Sequence, residues 1–190
     1  MSTHNEYSAP VRFLEGQRVY LRPFGQDDVD FYYHSLYSSD TRKLTGTQKH
    51  FTREQIEQYF ESKRHDSTSV LLAIALCEND EVIGDVQLGD IDPFNRNAYI
   101  RIAIHQPAYQ SKGYGSEALL LMLDYGFGIL NLHRIELNVF AYNDRAIHTY
   151  EKLGFQREGV QRQALFYNHA YHDSILMSML AEEYRERYVK

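Results

Sequence analysis

The run Gln110-Ser111-Lys112-Gly113-Tyr114-Gly115-Ser116 is built to hold an anion. An apolar stretch, Ile100 to Ile104, leads into it, and a helical pattern, Glu117 to Phe127, leads out. A strand feeding a glycine-containing turn that opens a helix presents the first N–H groups of that helix. These have no internal partner and lie at the positive end of the helix dipole. Gly113 and Gly115 let a bulky anion approach the main chain closely. The ligand expected here carries phosphate.

Three phosphate-binding patterns compete for the turn. The loop of nucleotide hydrolases needs Gly-x-x-x-x-Gly-Lys followed by Ser or Thr, but here Lys112 precedes the glycine and no hydroxyl is placed to hold magnesium. The dinucleotide fingerprint needs three glycines, an N-terminal strand–helix unit and an acid about 20 residues on. This turn has two glycines and lies past mid-chain. The third pattern, Gln-x-x-Gly-x-Gly after a strand, cradles the pyrophosphate of coenzyme A. A two-glycine turn also serves as plain loop punctuation, so a second segment has to decide.

That segment is Asn143-Asp144-Arg145-Ala146-Ile147-His148-Thr149-Tyr150-Glu151-Lys152-Leu153-Gly154-Phe155, preceded by the strand-like Arg134 to Val139. The two segments together resemble the central motifs of the GNAT N-acetyltransferases, in order and separation. The branch most similar holds the spermidine N-acetyltransferases and the ribosomal-protein alanine acetyltransferases. The resemblance is specific from about Asp85 to Met179 and holds only in outline before that. It implies a single-domain α/β fold, the GNAT acyl-CoA N-acyltransferase fold, with a mixed, splayed central sheet flanked by helices. The domain is expected over residues 14–190, after a flexible tail over residues 1–13.

The resemblance also implies roles. Ala103, Ile104 and His105, at the end of the strand before the turn, would hold the pantetheine arm through their backbone. Amides there would also polarise the thioester carbonyl. Gln110, Ser111, Lys112, Gly113, Tyr114, Gly115 and Ser116 would carry the pyrophosphate, with Lys112 adding a point charge. Asn143 would contact pantetheine or cap its helix, Ala146 would line the cofactor, and Arg145 and Lys152 would face phosphates. Tyr150 matches the family's catalytic tyrosine in Tyr-x-Lys-Leu-Gly-Phe. A coenzyme A thiol should titrate near a cysteine, at about 8.5, and a phenol at about 10. The phenol therefore stays protonated at neutral pH and can protonate a departing thiolate. The general base is left open. Spermidine acetyltransferases carry a glutamate early in the strand before the turn, where Tyr99 stands here. Asp85, Asp90, Asp92 and His105 are replacements acting through water.

The function implied is acetyl transfer from acetyl-CoA to a primary amine, a polyamine or other small amine, by direct attack. The alternatives are a protein N-terminal alanine and, in another class, a non-catalytic acyl-CoA-binding regulatory module. An acceptor groove is expected from Gln26 to Lys49 and the last two strands. A polyamine site should be lined by Asp and Glu, and a peptide site should be an open groove. Phe166, Tyr167 and Tyr171 would form either that groove or the face of a homodimer.

Composition fits these expectations. The chain has 190 residues, enough for one domain with a proper core. Twenty basic against 26 acidic residues give a net charge of −6, which argues against a nucleic-acid partner and suits a cationic substrate. Sixteen tyrosines and no tryptophan put tyrosine at the half-buried aromatic positions. Cys77 is alone, which excludes an intramolecular disulfide and a cysteine metal cluster, and it reads as a buried thiol. The histidines show no His-x-x-x-His spacing, so no metal is expected. Residues 1–10 lack the apolar core of a signal peptide, and no run reaches the roughly 20 apolar residues of a membrane helix. The expected location is the cytoplasm, without membrane contact.

The pattern predicts a strand over 17–23 and a helix over 26–37. A polar connection over 40–49 follows, then a helix from the Thr52–Gln55 capping box to about Arg64. Strands are expected over 70–77, 81–91 and 97–104, and a central helix over 113–129. A strand over 134–141 precedes a helix from Asn143 to Leu153, closed by Gly154. Strands over 156–163 and 170–180 and a short charged helix complete the chain.

Overall fold

The computed structural model describes residues 10–190. Residues 1–9, most of the expected tail, lie outside the described residues. Arg12 is tied to the body of the chain by ion pairs to Glu15 (2.8 Å) and Asp80 (3.2 Å).

Two short strands, β1 (Leu14–Glu15) and β2 (Val19–Arg22), come first. Three helices follow: α1 (Val29–Ser35), α2 (Ser39–Thr45) and α3 (Arg53–His65). An antiparallel run then forms β3 (Val70–Leu76), β4 (Val82–Asp92) and β5 (Asn97–Ile104). The second half is α4 (Tyr114–Asp124), β6 (Arg134–Phe140), α5 (Asp144–Leu153), β7 (Gln156–Tyr167), β8 (Ala170–Leu180) and α6 (Ala181–Tyr188).

The strands form one sheet in the order β1-β2-β3-β4-β5-β6-β8-β7. Alternation along β3 shows why helices lie on both faces. Leu72, Ile74 and Leu76 belong to the main core under α4, with Leu119, Met122 and Leu123. Leu71 packs instead with Ile56 and Phe60 of α3 and Val29 and Tyr32 of α1. Period-2 side chains feed two layers at once.

Among the described residues one strand contact is parallel, that of β5 with β6. It is registered only at Asn97–Arg134, Ala98–Ile135 and Tyr99–Glu136. Past Tyr99, β5 continues to Ile104 and β6 to Phe140 with no further registered pair between them. The sheet therefore splays, as expected, and leaves unpaired backbone at its centre. Gly84 holds the far side of β5 in place. A Cβ built there would lie 2.1 Å from the Ala103 carbonyl oxygen, so only glycine lets β4 come this close.

Three expectations on elements are corrected. The polar connection over 40–49 contains α2, capped by Ser38, whose side chain accepts from the Thr41 N–H, and ended by Gly46 at φ 67°. The central helix is regular only to Asp124 and closes in a wide turn, Tyr125–Ile129, with Leu130 N–H donating to the Tyr125 carbonyl at 3.0 Å. Gly126 sits in that turn because a Cβ there would come within 2.8 Å of Ile135. β7 runs to Tyr167 rather than Gln163, through a register shift between Gln161 and Leu165 where Gln163 has φ 54°. Cys77 is half-buried, not fully enclosed.

Candidate active site

A cavity of about 420 Å³ opens at the splay. It is bounded by β5, the turn into α4, β6, α5 and α2. Each boundary has a local cause. In the turn, Ser111 (φ 60°) and Gly113 (φ 88°) are left-handed, which swings the chain from β5 into α4. The first helical bond of α4 runs from Glu117 N–H to the Gly113 carbonyl (3.1 Å). The amides of Tyr114, Gly115 and Ser116 are thus left without intrahelical acceptors.

Gln110 ties three elements together. Its Nε2 donates to the Ile104 carbonyl at 2.9 Å, and its Oε1 accepts from Arg145 Nη1 at 2.7 Å. α5 is oriented by the Asn143 side chain, which accepts from the Ala146 N–H at 3.2 Å. One face of α5 buries Ile147 and Leu153. Tyr150, one turn on from Ile147, packs edge-on against Phe155 (5.8 Å between centroids) and borders the cavity. Burial, followed by proximity to Tyr99, pushes its phenol up to about 12. Among the described residues nothing takes up its hydroxyl in a hydrogen bond.

The roof is α2. A Cβ on Gly46 would meet the Phe140 ring at 2.6 Å, so the helix end rests directly on β6. Tyr142 donates its hydroxyl to the Lys43 carbonyl, and Gln48 Nε2 donates to the Phe166 carbonyl at 2.6 Å. Thr41, Leu44, Thr45 and Thr47 line the cavity from this side. The floor includes Tyr99, whose hydroxyl accepts from the Asn138 N–H at 3.3 Å just where β5 and β6 part.

The cavity gathers Ala103, Ile104, Gln110, Ser111, Gly113, Gly115, Ser116, Asn143, Arg145, Ala146 and Tyr150. Four expected residues stand apart from its lining. His105 turns inward: its N–H donates to the Ile83 carbonyl (2.9 Å), and its Nε2 lies 2.6 Å from Asp85 Oδ1. Lys112 projects over the Tyr109 ring at 6.0 Å, and its carbonyl accepts from Arg18. The Tyr114 ring packs under the Arg18 guanidinium at 4.9 Å. Lys152 lies at the far end of α5, its carbonyl accepting from Arg187 at 2.7 Å. For Tyr114 the main-chain amide, not the ring, is the group placed at the turn.

The groove expected over 26–49 supplies Thr41, Leu44, Thr45 and Thr47, whereas among the described residues the last two strands give the lining no residue; sequence reading missed Thr149, Asn138 and Arg18. Arg18 reaches the glycine turn from β2's approach, held by Glu117 (3.0 Å) and by the Lys112 carbonyl (2.9 Å). No spacing rule links residues this far apart in the chain. Only the sheet order brings them together.

Residues 18–156 match the family model of the acetyltransferase (GNAT) domain. Over 166 residues the chain is 30% identical to the spermidine N(1)-acetyltransferase of Escherichia coli (strain K12), an alignment spanning 87% of this chain and 88% of that one. The crystal structure of spermidine N-acetyltransferase from Vibrio cholerae in complex with CoA and spermine matches the fold with a TM-score of 0.82 at 29% identity, covering 87% of this chain and 97% of that one. A dodecameric structure of a Vibrio cholerae spermidine N-acetyltransferase matches with a TM-score of 0.77, again at 29% identity, covering 90% and 98%. The chain belongs to the GNAT family of acetyltransferases. It is an acetyl-CoA-dependent N-acetyltransferase, which sets aside the non-catalytic binding module. No helix among the described residues is long and apolar enough to cross a membrane.

Proposed function

We propose that the enzyme acetylates a small primary amine by direct attack on acetyl-CoA, with Tyr150 as general acid. One observation carries this reading: a single cavity is bounded by the α4 turn, the unpaired edge of β5 and the Tyr150 ring. In the proposed geometry the pyrophosphate lies on the free amides of α4 and the pantetheine runs along Ala103 and Ile104. The amine nitrogen then bonds to the thioester carbonyl carbon, the carbon–sulfur bond breaks, and the sulfur takes the Tyr150 proton. Water removes the proton from the amine, since the buried His105–Asp85 pair is turned away from the lining.

The names of the relatives support a polyamine as acceptor. The lining favours a second reading, the amine of a peptide N-terminus. Its charged side chains are Arg101 and Arg145, and no Asp or Glu lines it among the described residues. Assembly into a dimer or larger oligomer is supported by the dodecamer of the Vibrio cholerae relative.

Free-thiol release from acetyl-CoA, measured against spermidine, spermine, aminoglycosides, amino acids and short peptides beginning with Ala, Ser or Met, tests the proposal. Turnover on one class identifies the acceptor, whereas silence on all of them overturns the acceptor reading. Gly113→Glu tests the cradle. A side chain at φ 88° costs about 1–2 kcal/mol, and its negative charge would stand at the pyrophosphate. The Kd for acetyl-CoA, read by calorimetry, is expected to rise about tenfold or more. An unchanged Kd would remove the pyrophosphate from this turn.

A further inference from the structure

Arg101 stands two residues beyond Tyr99 on β5, about 7 Å along the strand. Its contacts place it on the face toward α1 and α3. Nε donates to Gln87 Oε1 (2.7 Å), Nη2 donates to the hydroxyls of Tyr32 (3.3 Å) and Tyr59 (3.2 Å), and Nη1 lies 3.2 Å from Asp85 Oδ2. A guanidinium has five N–H donors. These partners use four at most, so one Nη1 hydrogen is left over. The side chain keeps 35% of its surface exposed while Asp85 behind it has none, and Arg101 borders the cavity. The other arginine of the lining, Arg145, is bound to Gln110 at the opposite, phosphate-side end. On β5 the cavity thus shows a held cation with one free donor.

We infer that Arg101 selects the acceptor by reading an oxygen carried next to the amine, a carboxylate or a peptide carbonyl. The inference rests on the proposed amine acetylation in this cavity. A polyamine offers only further ammonium groups, which a guanidinium repels and cannot donate to. An α-amine places a carbonyl or carboxylate oxygen two bonds beyond the nitrogen-bearing carbon, where the one free N–H of the planar fork can donate to it. Tyr32, Tyr59, Gln87 and Asp85 hold the fork in place, so little order is lost when it binds.

The experiment compares kcat/KM for free alanine, an alanyl peptide amide, propylamine and spermidine. The first two are expected to exceed the last two by roughly ten- to a hundredfold, the range for a hydrogen bond to a charged group. Preference for alanine names the carboxylate, and preference for the peptide amide names the carbonyl. In Arg101→Lys, which keeps the charge but loses the fork, the ratio of alanyl substrate to propylamine should fall toward one through the acceptor KM. The KM for acetyl-CoA should hold. Propylamine or spermidine turned over as well as the alanyl compounds by the parent enzyme would overturn the selection while leaving amine acetylation standing. Silence on all four, with acetyl-CoA bound, would overturn amine acetylation here and the selection with it.

Discussion

A Tyr150→Phe enzyme is expected to bind acetyl-CoA as the parent does and to turn over about 10²- to 10⁴-fold more slowly, the usual worth of a positioned general acid. The substitution removes one oxygen and keeps the ring. The edge-on packing on Phe155 and the α5 face that buries Ile147 and Leu153 should therefore persist. The loss should appear in kcat and kcat/KM together, because the proton is needed only as the carbon–sulfur bond breaks. The pH profile gives a second, independent readout. Burial lifts the phenol to about 12, so Tyr150 stays protonated throughout the range in which the enzyme can be assayed. The rate should climb with pH as the acceptor amine loses its proton and then level off. No descending limb from Tyr150 is expected below about pH 11, one unit under its pKa. Unchanged turnover in Tyr150→Phe, or a parent profile falling through pH 8–9, would remove the phenol from the acid role.

The parts of the fold legible in the sequence are those where local chemistry and tertiary structure agree. The Thr52–Gln55 capping box, the Asn143 cap and the left-handed Gly154 each state a helix end through their own side chain or lack of one. The turn into α4 is legible because Gly113, at φ 88°, takes a conformation that favours glycine. α2 has equally clear ends, Ser38 and Gly46, yet it reads as a connection because only Thr41 of its seven residues is buried. Its position depends on Gly46 meeting Phe140 across the splay, a contact that no periodicity reports. The same limit hid Arg101, which shares a face with Tyr99. Alternation along β5 shows which face they share, but only the parallel pairing that stops at Tyr99–Glu136 shows that this face opens on a cavity. Asp85 and His105 read in sequence as polar groups able to relay a proton. Sheet register puts them instead in a buried pair beside the Arg101 guanidinium.

The ion pair between Asp85 and Arg101 has the largest expected effect on stability. Asp85 is fully buried, and its oxygens lie 2.6 Å from His105 Nε2 and 3.2 Å from Arg101 Nη1. Removing one partner of a buried ion pair leaves the other charge without compensation and costs about 3–5 kcal/mol. For a chain of this size, at about 2–4 °C per kcal/mol, Asp85→Ala should lower the unfolding midpoint by roughly 6–20 °C. Replacing both partners, Asp85→Ala with Arg101→Met, should recover part of that loss, because no charge is then stranded. The sign of the acid response follows from the carboxyl. Burial alone would raise its pKa, but the Arg101 charge and the His105 hydrogen bond outweigh burial and hold it below the usual carboxylate value. A group whose folded pKa lies below its unfolded value stabilises above the unfolded value, about 3.9. That stability drains away as the pH falls from there through the folded pKa, because the unfolded chain takes up its proton first. The parent should therefore lose stability below about pH 4 more steeply than the double variant, which lacks this carboxyl. Equal acid slopes in the two, or an Asp85→Ala midpoint within about 3 °C of the parent, would mean that the Arg101 guanidinium is held by Gln87, Tyr32 and Tyr59 without the charge behind it.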